Sequence, residues 1–306
     1  MTTPPAATEA TDRQEPSEHR IRVNGVELTY FEWDSAHRDE EPSILLVHAT
    51  GFHARVWDQV IRLLGPRHII SVDQRGHGRS EKVAISHWGA MGQDLVELAT
   101  ELGIKGAIGV GHSMGGHALI EAATSCPAAF ERLLLIDPVV AAPDHYHTDG
   151  WSIDLAGGEV HPTAKRKNEF ESAQAMIDRF KDRPPFSRFD PAALADYCTY
   201  GLLPNAAGDG YQLACPPVIE ASIYMTSRSN PGVYDSVRAL AAPVMIMRAK
   251  RPPPDRDVMD FSSSPTWPGL ADEFQNGREV YFPDHSHFLP MEDPQLVATY
   301  ILAYAP

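Results

Sequence analysis

The segment Gly111-His112-Ser113-Met114-Gly115-Gly116 constrains this chain more than any other. It follows an apolar run at residues 107–110 and precedes a helix-like stretch at 115–124. Together they predict a strand that turns sharply into a helix. The positions flanking so tight a turn must be small, which Gly111 and Gly115 satisfy. The turn pushes the Ser113 hydroxyl out of the sheet. It also leaves the Met114 N–H free at a helix N-terminus, where the dipole favours an anion. Alone, Gly-x-Ser-x-Gly is a weak pattern that also describes a plain glycine-rich turn. Between a strand and a helix, it makes Ser113 a candidate nucleophile. A serine in that role needs a base, commonly a histidine oriented by a carboxylate.

Strand and helix patterns alternate around this turn. Residues 20–23 and 26–33 flank Asn24-Gly25, a hairpin signal. Short apolar runs at 43–48, 69–73, 107–111 and 133–136 read as strands buried on both faces. Residues 56–64, 88–102 and 115–124 read as helices between them. Such alternation predicts right-handed βαβ units and a parallel sheet. From about residue 139 to 239 no clear strand is legible. Helix-like pieces stand at 169–180 and 191–198, with Pro/Gly-rich joints at 184–185, 205–210 and 216–217. Strand patterns resume at 244–247 and 279–282, and a helix closes the chain at 294–304. The expected organisation is a disordered tail over 1–17, a core over 18–138 and 241–306, and an insertion over 139–240. Open α/β sheets bind ligands at the C-terminal edge of their strands, so a helical lid over that edge is expected.

A net charge of −15 argues against nucleic acid or an anionic membrane surface as a partner. No apolar run has membrane-spanning length. Residues 1–17 lack the apolar stretch of a signal peptide, so a cytoplasmic location is expected. Cys126, Cys198 and Cys215 are too few and too scattered for a disulfide framework or a zinc site. His145-Tyr146-His147, with Asp144 and Asp149, reads as a solvated loop. No metal or cofactor is expected. Lys250-Arg251 lies near the expected mouth of the site; loop solvation is the simpler reading, an acidic substrate group the other. Among the tryptophans, Trp151 near the start of the insertion is the pocket candidate, and Trp57 and Trp88 are set aside.

His287 follows the last strand in Asp284-His285-Ser286-His287-Phe288, on the sheet edge expected to carry Ser113. His285 is its nearest rival. Four segments give the chain a likeness. They are Leu46-Val47-His48-Ala49-Thr50-Gly51, Asp73-Gln74-Arg75-Gly76-His77-Gly78-Arg79-Ser80, the turn at Ser113, and His287-Phe288-Leu289-Pro290-Met291-Glu292-Asp293-Pro294. In this order they resemble the α/β-hydrolase family, over about residues 20–306. The resemblance is to its lidded branch of esterases, lactonases, perhydrolases, carbon–carbon bond hydrolases, epoxide hydrolases and dehalogenases. It implies a mostly parallel eight-stranded sheet with helices on both faces and a helical lid. A histidine followed five residues later by Glu-x-Pro is the family's spacing, which favours His287 over His285. Many relatives carry the acid after the penultimate strand, where this chain has Pro252 and, later, Asp255, Asp257 and Asp260. Others carry it after the strand that follows the nucleophile helix, which here ends at Asp137. Asp137 is the favoured acid and Asp255 the alternative.

The resemblance also implies an oxyanion hole of two backbone donors. Met114 supplies one, and the loop after His48 supplies the other, Thr50 or alternatively Gly51. This chain has Ala49 where the family commonly has glycine. His48 is expected to buttress that loop. Relatives that attack carbon by displacement have aspartate at the nucleophile position, so Ser113 favours acyl transfer. The expected activity is hydrolysis of a carboxylic ester or lactone whose apolar body lies beneath the lid. Carbon–carbon bond hydrolysis, or a ligand receptor on the same fold, are the alternatives. Oligomeric state is not legible.

Overall fold

A hairpin at Asn24-Gly25 and a series of short buried strands assemble one eight-stranded sheet in the computed structural model, which describes residues 14–146, 160–206, 208–255 and 260–304. In chain order its strands are β1 (Ser17–Val23), β2 (Val26–Trp33), β3 (Ile44–Val47), β4 (Ile69–Asp73), β5 (Ala107–His112) and β6 (Phe130–Ile136). After an insertion holding β7 (Glu169–Phe170), β8 (Leu202–Pro204) and β9 (Tyr211–Leu213) come β10 (Val244–Arg248) and β11 (Gly277–Tyr281). The spatial order is β1-β2-β4-β3-β5-β6-β10-β11. The pairs β1–β2 and β2–β4 are antiparallel and the rest are parallel.

Burial on both faces explains the apolar runs. In β3, Leu45 and Val47 join one core with Leu95, Leu98 and Leu119, while Ile44 and Leu46 join the other with Ile61, Val297 and Ile301. That is the period-two alternation of a strand sandwiched between helices. Helices α1 (Asp58–Arg62), α2 (Gly89–Glu101) and α3 (Met114–Ser125) connect the first strands. The insertion carries α4 (Ala173–Phe180), α5 (Pro191–Tyr200), α6 (Pro217–Met225) and α7 (Val233–Ala239). Then follow α8 (Leu270–Glu273), α9 (Leu289–Glu292) and α10 (Pro294–Tyr304). Residues of α2, α3, α7 and α8 pack on one face, and residues of α1, α9 and α10 on the other.

The insertion departs from expectation in two ways. It contains strands: β7, β9 and β8 form a small antiparallel sheet. Residues 169–170, expected to begin a helix, are β7, and α4 starts at Ala173 with the Ser172 hydroxyl accepting from the Ala175 N–H. Strands of two or three residues are too short to display a period. The expected joint at Pro216-Pro217 is instead the entry to α6. Pro217 is its first residue, where a missing N–H costs no hydrogen bond. The insertion is docked to the core at several points. Ile219 and Ile223 of α6 join one core, the Asp190 N–H donates to the Met291 carbonyl, and Arg188 pairs with Glu292. The last residues of the expected tail belong to the fold: β1 starts at Ser17, and Glu15 pairs with Arg55 at 2.7 Å. Among the described residues no helix is long and apolar enough to cross a membrane.

Candidate active site

Ser113 stands between β5 and α3 with φ 57° and ψ −119°, a conformation few non-glycine residues adopt. Its N–H donates to the Ile136 carbonyl at 2.9 Å, tying the turn to β6. The glycines around it answer close approaches. A Cβ on Gly115 would lie 2.3 Å from the Val47 carbonyl oxygen, and one on Gly111 would lie 2.7 Å from the Gly115 carbonyl oxygen. Only glycine lets α3 start this close to β3 and β5. Strain at a buried serine on such a turn is held by these surrounding contacts.

The structure brings Ser113, His287 and Asp137 together. His287 Nε2 lies 3.0 Å from Ser113 Oγ, and His287 Nδ1 lies 2.7 Å from Asp137 Oδ2. Asp137 caps β6, is fully buried, and also has a positive φ of 47°. Its other oxygen, Oδ1, accepts from the Ala249 N–H at 3.0 Å and the Ser264 hydroxyl at 2.5 Å. Donors therefore saturate Oδ1 and leave Oδ2 to the imidazole. A carboxylate at Oδ2 makes Nδ1 the protonated nitrogen, so Nε2 presents its lone pair to the serine hydroxyl.

The rival residues lie elsewhere. His285 reaches Asp293, with 3.5 Å between Nε2 and Oδ2. Asp255 is exposed, and Asp257 lies outside the described residues. Asp260 accepts from the Ser262 N–H at 2.8 Å. Trp151, His147 and Asp149 also lie outside the described residues. Trp88, set aside from sequence, lines the same cavity as Ser113.

Thr50 and Met114 touch, with Thr50 Oγ1 3.4 Å from Met114 Sδ. Among the described residues no hydrogen bond engages either backbone N–H. The Gly51 N–H, in contrast, donates to His77 Nε2 at 3.0 Å and is not free. Buried histidines shape this loop. His48 Nε2 accepts from the Gln74 N–H, so its Nδ1–H donates to the Ala49 carbonyl. Burial lowers the pKa of His48, and burial and then His48 lower that of His77. The Asp73 carboxylate accepts from the Ala54 and Arg79 N–H groups and anchors the loop beneath.

Two residues support the site: His112, not singled out from sequence, and Glu292, noted there only as part of the closing motif. His112 Nε2–H donates to the His287 carbonyl at 2.8 Å, and the two rings lie 5.0 Å apart. Burial and then the neighbouring His287 hold its pKa well below the ordinary value. The signal was its place immediately before Ser113. Glu292 accepts from the Ser286 N–H and hydroxyl, which fixes the loop carrying His287 and accounts for the glutamate in the closing motif.

Ser113 and His287 open into a cavity of about 320 Å³ walled by Thr50, Phe52, Trp88, Tyr224, Phe261 and Phe288. Tyr224 and Phe261 stack at 5.0 Å, and Phe52 packs on Phe288 at 5.8 Å. A second cavity of about 440 Å³ shares Thr50, Phe52, Tyr224, Phe261 and Phe288 with it. The aromatic side chains walling the cavity at Ser113 suit a small substrate with an apolar body.

Comparison with known proteins places these features in a family. Residues 44–300 match the Alpha/beta hydrolase family, and the chain belongs to it. A bifunctional esterase/perhydrolase of Acinetobacter calcoaceticus is 21% identical over 290 residues, spanning 92% of this chain and 96% of that protein. The peroxisomal alpha-beta-hydrolase of Saccharomyces cerevisiae superposes with a TM-score of 0.73 at 17% identity, over 95% of this chain and 88% of that one. E-2-(acetamidomethylene)succinate hydrolase gives a TM-score of 0.69 at 22% identity, over 94% and 97%. At these identities the structural likenesses establish the fold. With the hydrogen-bonded Ser–His–Asp arrangement, the family assignment makes the chain a serine hydrolase.

Proposed function

We propose that this member of the α/β-hydrolase family hydrolyses a carboxylic ester or lactone through an acyl-enzyme on Ser113. The observation that carries the reading is the continuous chain from Ser113 Oγ through His287 to Asp137, at 3.0 and 2.7 Å. In this cycle His287 Nε2 takes the hydroxyl proton as Ser113 attacks the carbonyl carbon. Asp137 holds the imidazole in its productive tautomer and stabilises the imidazolium. The N–H groups of Met114 and Thr50 receive the developing oxyanion. His287 then returns its proton to the leaving alcohol and activates the water that frees the acid. The esterase/perhydrolase named among the relatives supports ester chemistry, and Ser113 at the turn supports acyl transfer over displacement at carbon.

The insertion over residues 139–240 is proposed to act as a lid, since Tyr224 from α6 helps to wall the cavity. The test is hydrolysis of a series of p-nitrophenyl esters and simple lactones by the wild type and by Ser113→Ala. Rapid turnover that disappears in the variant supports the reading. Turnover equal in the two proteins overturns it.

A further inference from the structure

The cavity that holds Ser113 and His287 contains one permanently charged group among its described lining residues, the guanidinium of Arg228. Arg228 lies just beyond α6 and is half-buried. Among the described residues it makes no hydrogen bond and no ion pair. A guanidinium stays protonated throughout the range in which proteins are folded. Withdrawing such a charge partly from water without a counter-ion is unfavourable.

Other arginines of this chain show how such a group is ordinarily treated. Arg55 pairs with Asp58, Arg75 with Asp94, Arg166 with Glu220 and Arg248 with Glu279. Acidic residues are plentiful, 41 against 26 lysines and arginines. None of those described is placed against Arg228. Its electrostatic neighbour is Tyr146, which burial pushes up to about 12, so that hydroxyl stays neutral and compensates nothing. The polar groups that share the cavity wall, Thr50, His161 and Ser227, carry no negative charge either. Arg228 also borders a neighbouring cavity of about 510 Å³, where Arg248 is already engaged by Glu279.

We propose that Arg228 determines specificity by binding a carboxylate on the substrate, which makes the natural substrate an acidic ester or lactone. This rests on the ester or lactone reading above and narrows it. The planar fork of a guanidinium matches a carboxylate with two parallel hydrogen bonds. The aromatic part of the cavity wall would hold the apolar body between that carboxylate and the scissile carbonyl. The carboxylate takes no part in bond breaking, so its contact is equal in ground and transition states. Its loss is expected in KM more than in kcat.

Three esters separate the possibilities: p-nitrophenyl butyrate, mono-p-nitrophenyl glutarate with its carboxylate on the acyl side, and 4-butyryloxybenzoate with it on the alcohol side. In Arg228→Gln, kcat/KM for one acidic ester relative to the butyrate is expected to fall about 10- to 100-fold, chiefly through KM. Arg228→Lys should recover part of the loss. Unchanged ratios on both acidic esters would overturn the proposal. Should the wild type cleave none of the three, the ester reading fails separately. Calorimetric titration of glutarate and of 4-hydroxybenzoate then reads the same contact without turnover. Binding weakened in Arg228→Gln supports the proposal, and equal or absent binding overturns it.

Discussion

Replacing Asp137 by asparagine keeps the shape of the side chain but removes its negative charge and turns one acceptor into a donor. In the native site Oδ1 receives the Ala249 N–H and the Ser264 hydroxyl, while Oδ2 faces His287 Nδ1. An asparagine must offer its carbonyl oxygen where two donors already point. Its NH₂ group is therefore forced toward His287. Nδ1 must then accept, Nε2 carries the proton, and the serine hydroxyl faces a donor instead of a base. A triad in the wrong tautomer loses roughly ten-thousand-fold in kcat, or about 5 kcal/mol of transition-state stabilisation. Stability should change far less, by about 1–2 kcal/mol, because the packing and the two donors to Oδ1 are retained. The assay is kcat on a p-nitrophenyl ester, with thermal unfolding as the control for folding. Asp255→Asn should leave kcat within about threefold of the wild type, since that residue is exposed. Near-native turnover in Asp137→Asn with a collapse in Asp255→Asn would refute the assignment.

Gly115→Ala should destabilise the protein by about 1–3 kcal/mol and lower kcat, because its Cβ would meet the Val47 carbonyl at 2.3 Å; an unaltered melting temperature would contradict this. His112→Leu leaves the buried His287 carbonyl without its donor and should cost about 1–3 kcal/mol, with His112→Gln losing less. Chemical denaturation of both variants measures the difference. Stability should fall as pH drops from about 6.5 to about 4. Burial lowers His53 to about 4 and also lowers His48, His77, His112 and His117, so the unfolded chain takes up protons that the folded chain refuses. These groups outnumber Asp58, Asp94, Asp196 and Glu220, which burial raises and which act in the opposite sense. The slope is about 1.4 kcal/mol per pH unit for each such proton, read from denaturation midpoints at pH 7.5 and pH 5. A midpoint that rises on acidification would contradict it.

The parts of this fold that were legible share one property: their residues are buried on both sides of a sheet. Ile44–Val47 is apolar throughout, Ile69–Asp73 is buried throughout with an apolar start, and both end abruptly, so strand and boundary show together. The turn at Ser113 was legible because close backbone approach admits only glycine at 111 and 115. Asp137 was legible through the family resemblance, as the residue that ends the strand after the nucleophile helix. The insertion was opaque for the opposite reason. Its strands are two or three residues long, and Pro217 marks a helix entry that resembles a break. Pocket residues were the hardest to find. Trp88 and Arg228 reach the cavity only because α6 and the segment after it fold over the sheet, a contact that no local pattern encodes.

The account turns on Ser113 being the atom that carries the acyl group. A fluorophosphonate that forms a stable adduct with an activated serine reads this directly, by intact mass and by peptide mapping. One adduct per chain, located on Ser113 and formed in step with the loss of ester hydrolysis, is the predicted result. The adduct should be absent from Ser113→Ala. Hydrolysis that persists after Ser113 is fully modified, or a label on another residue that tracks the loss of activity, would contradict it.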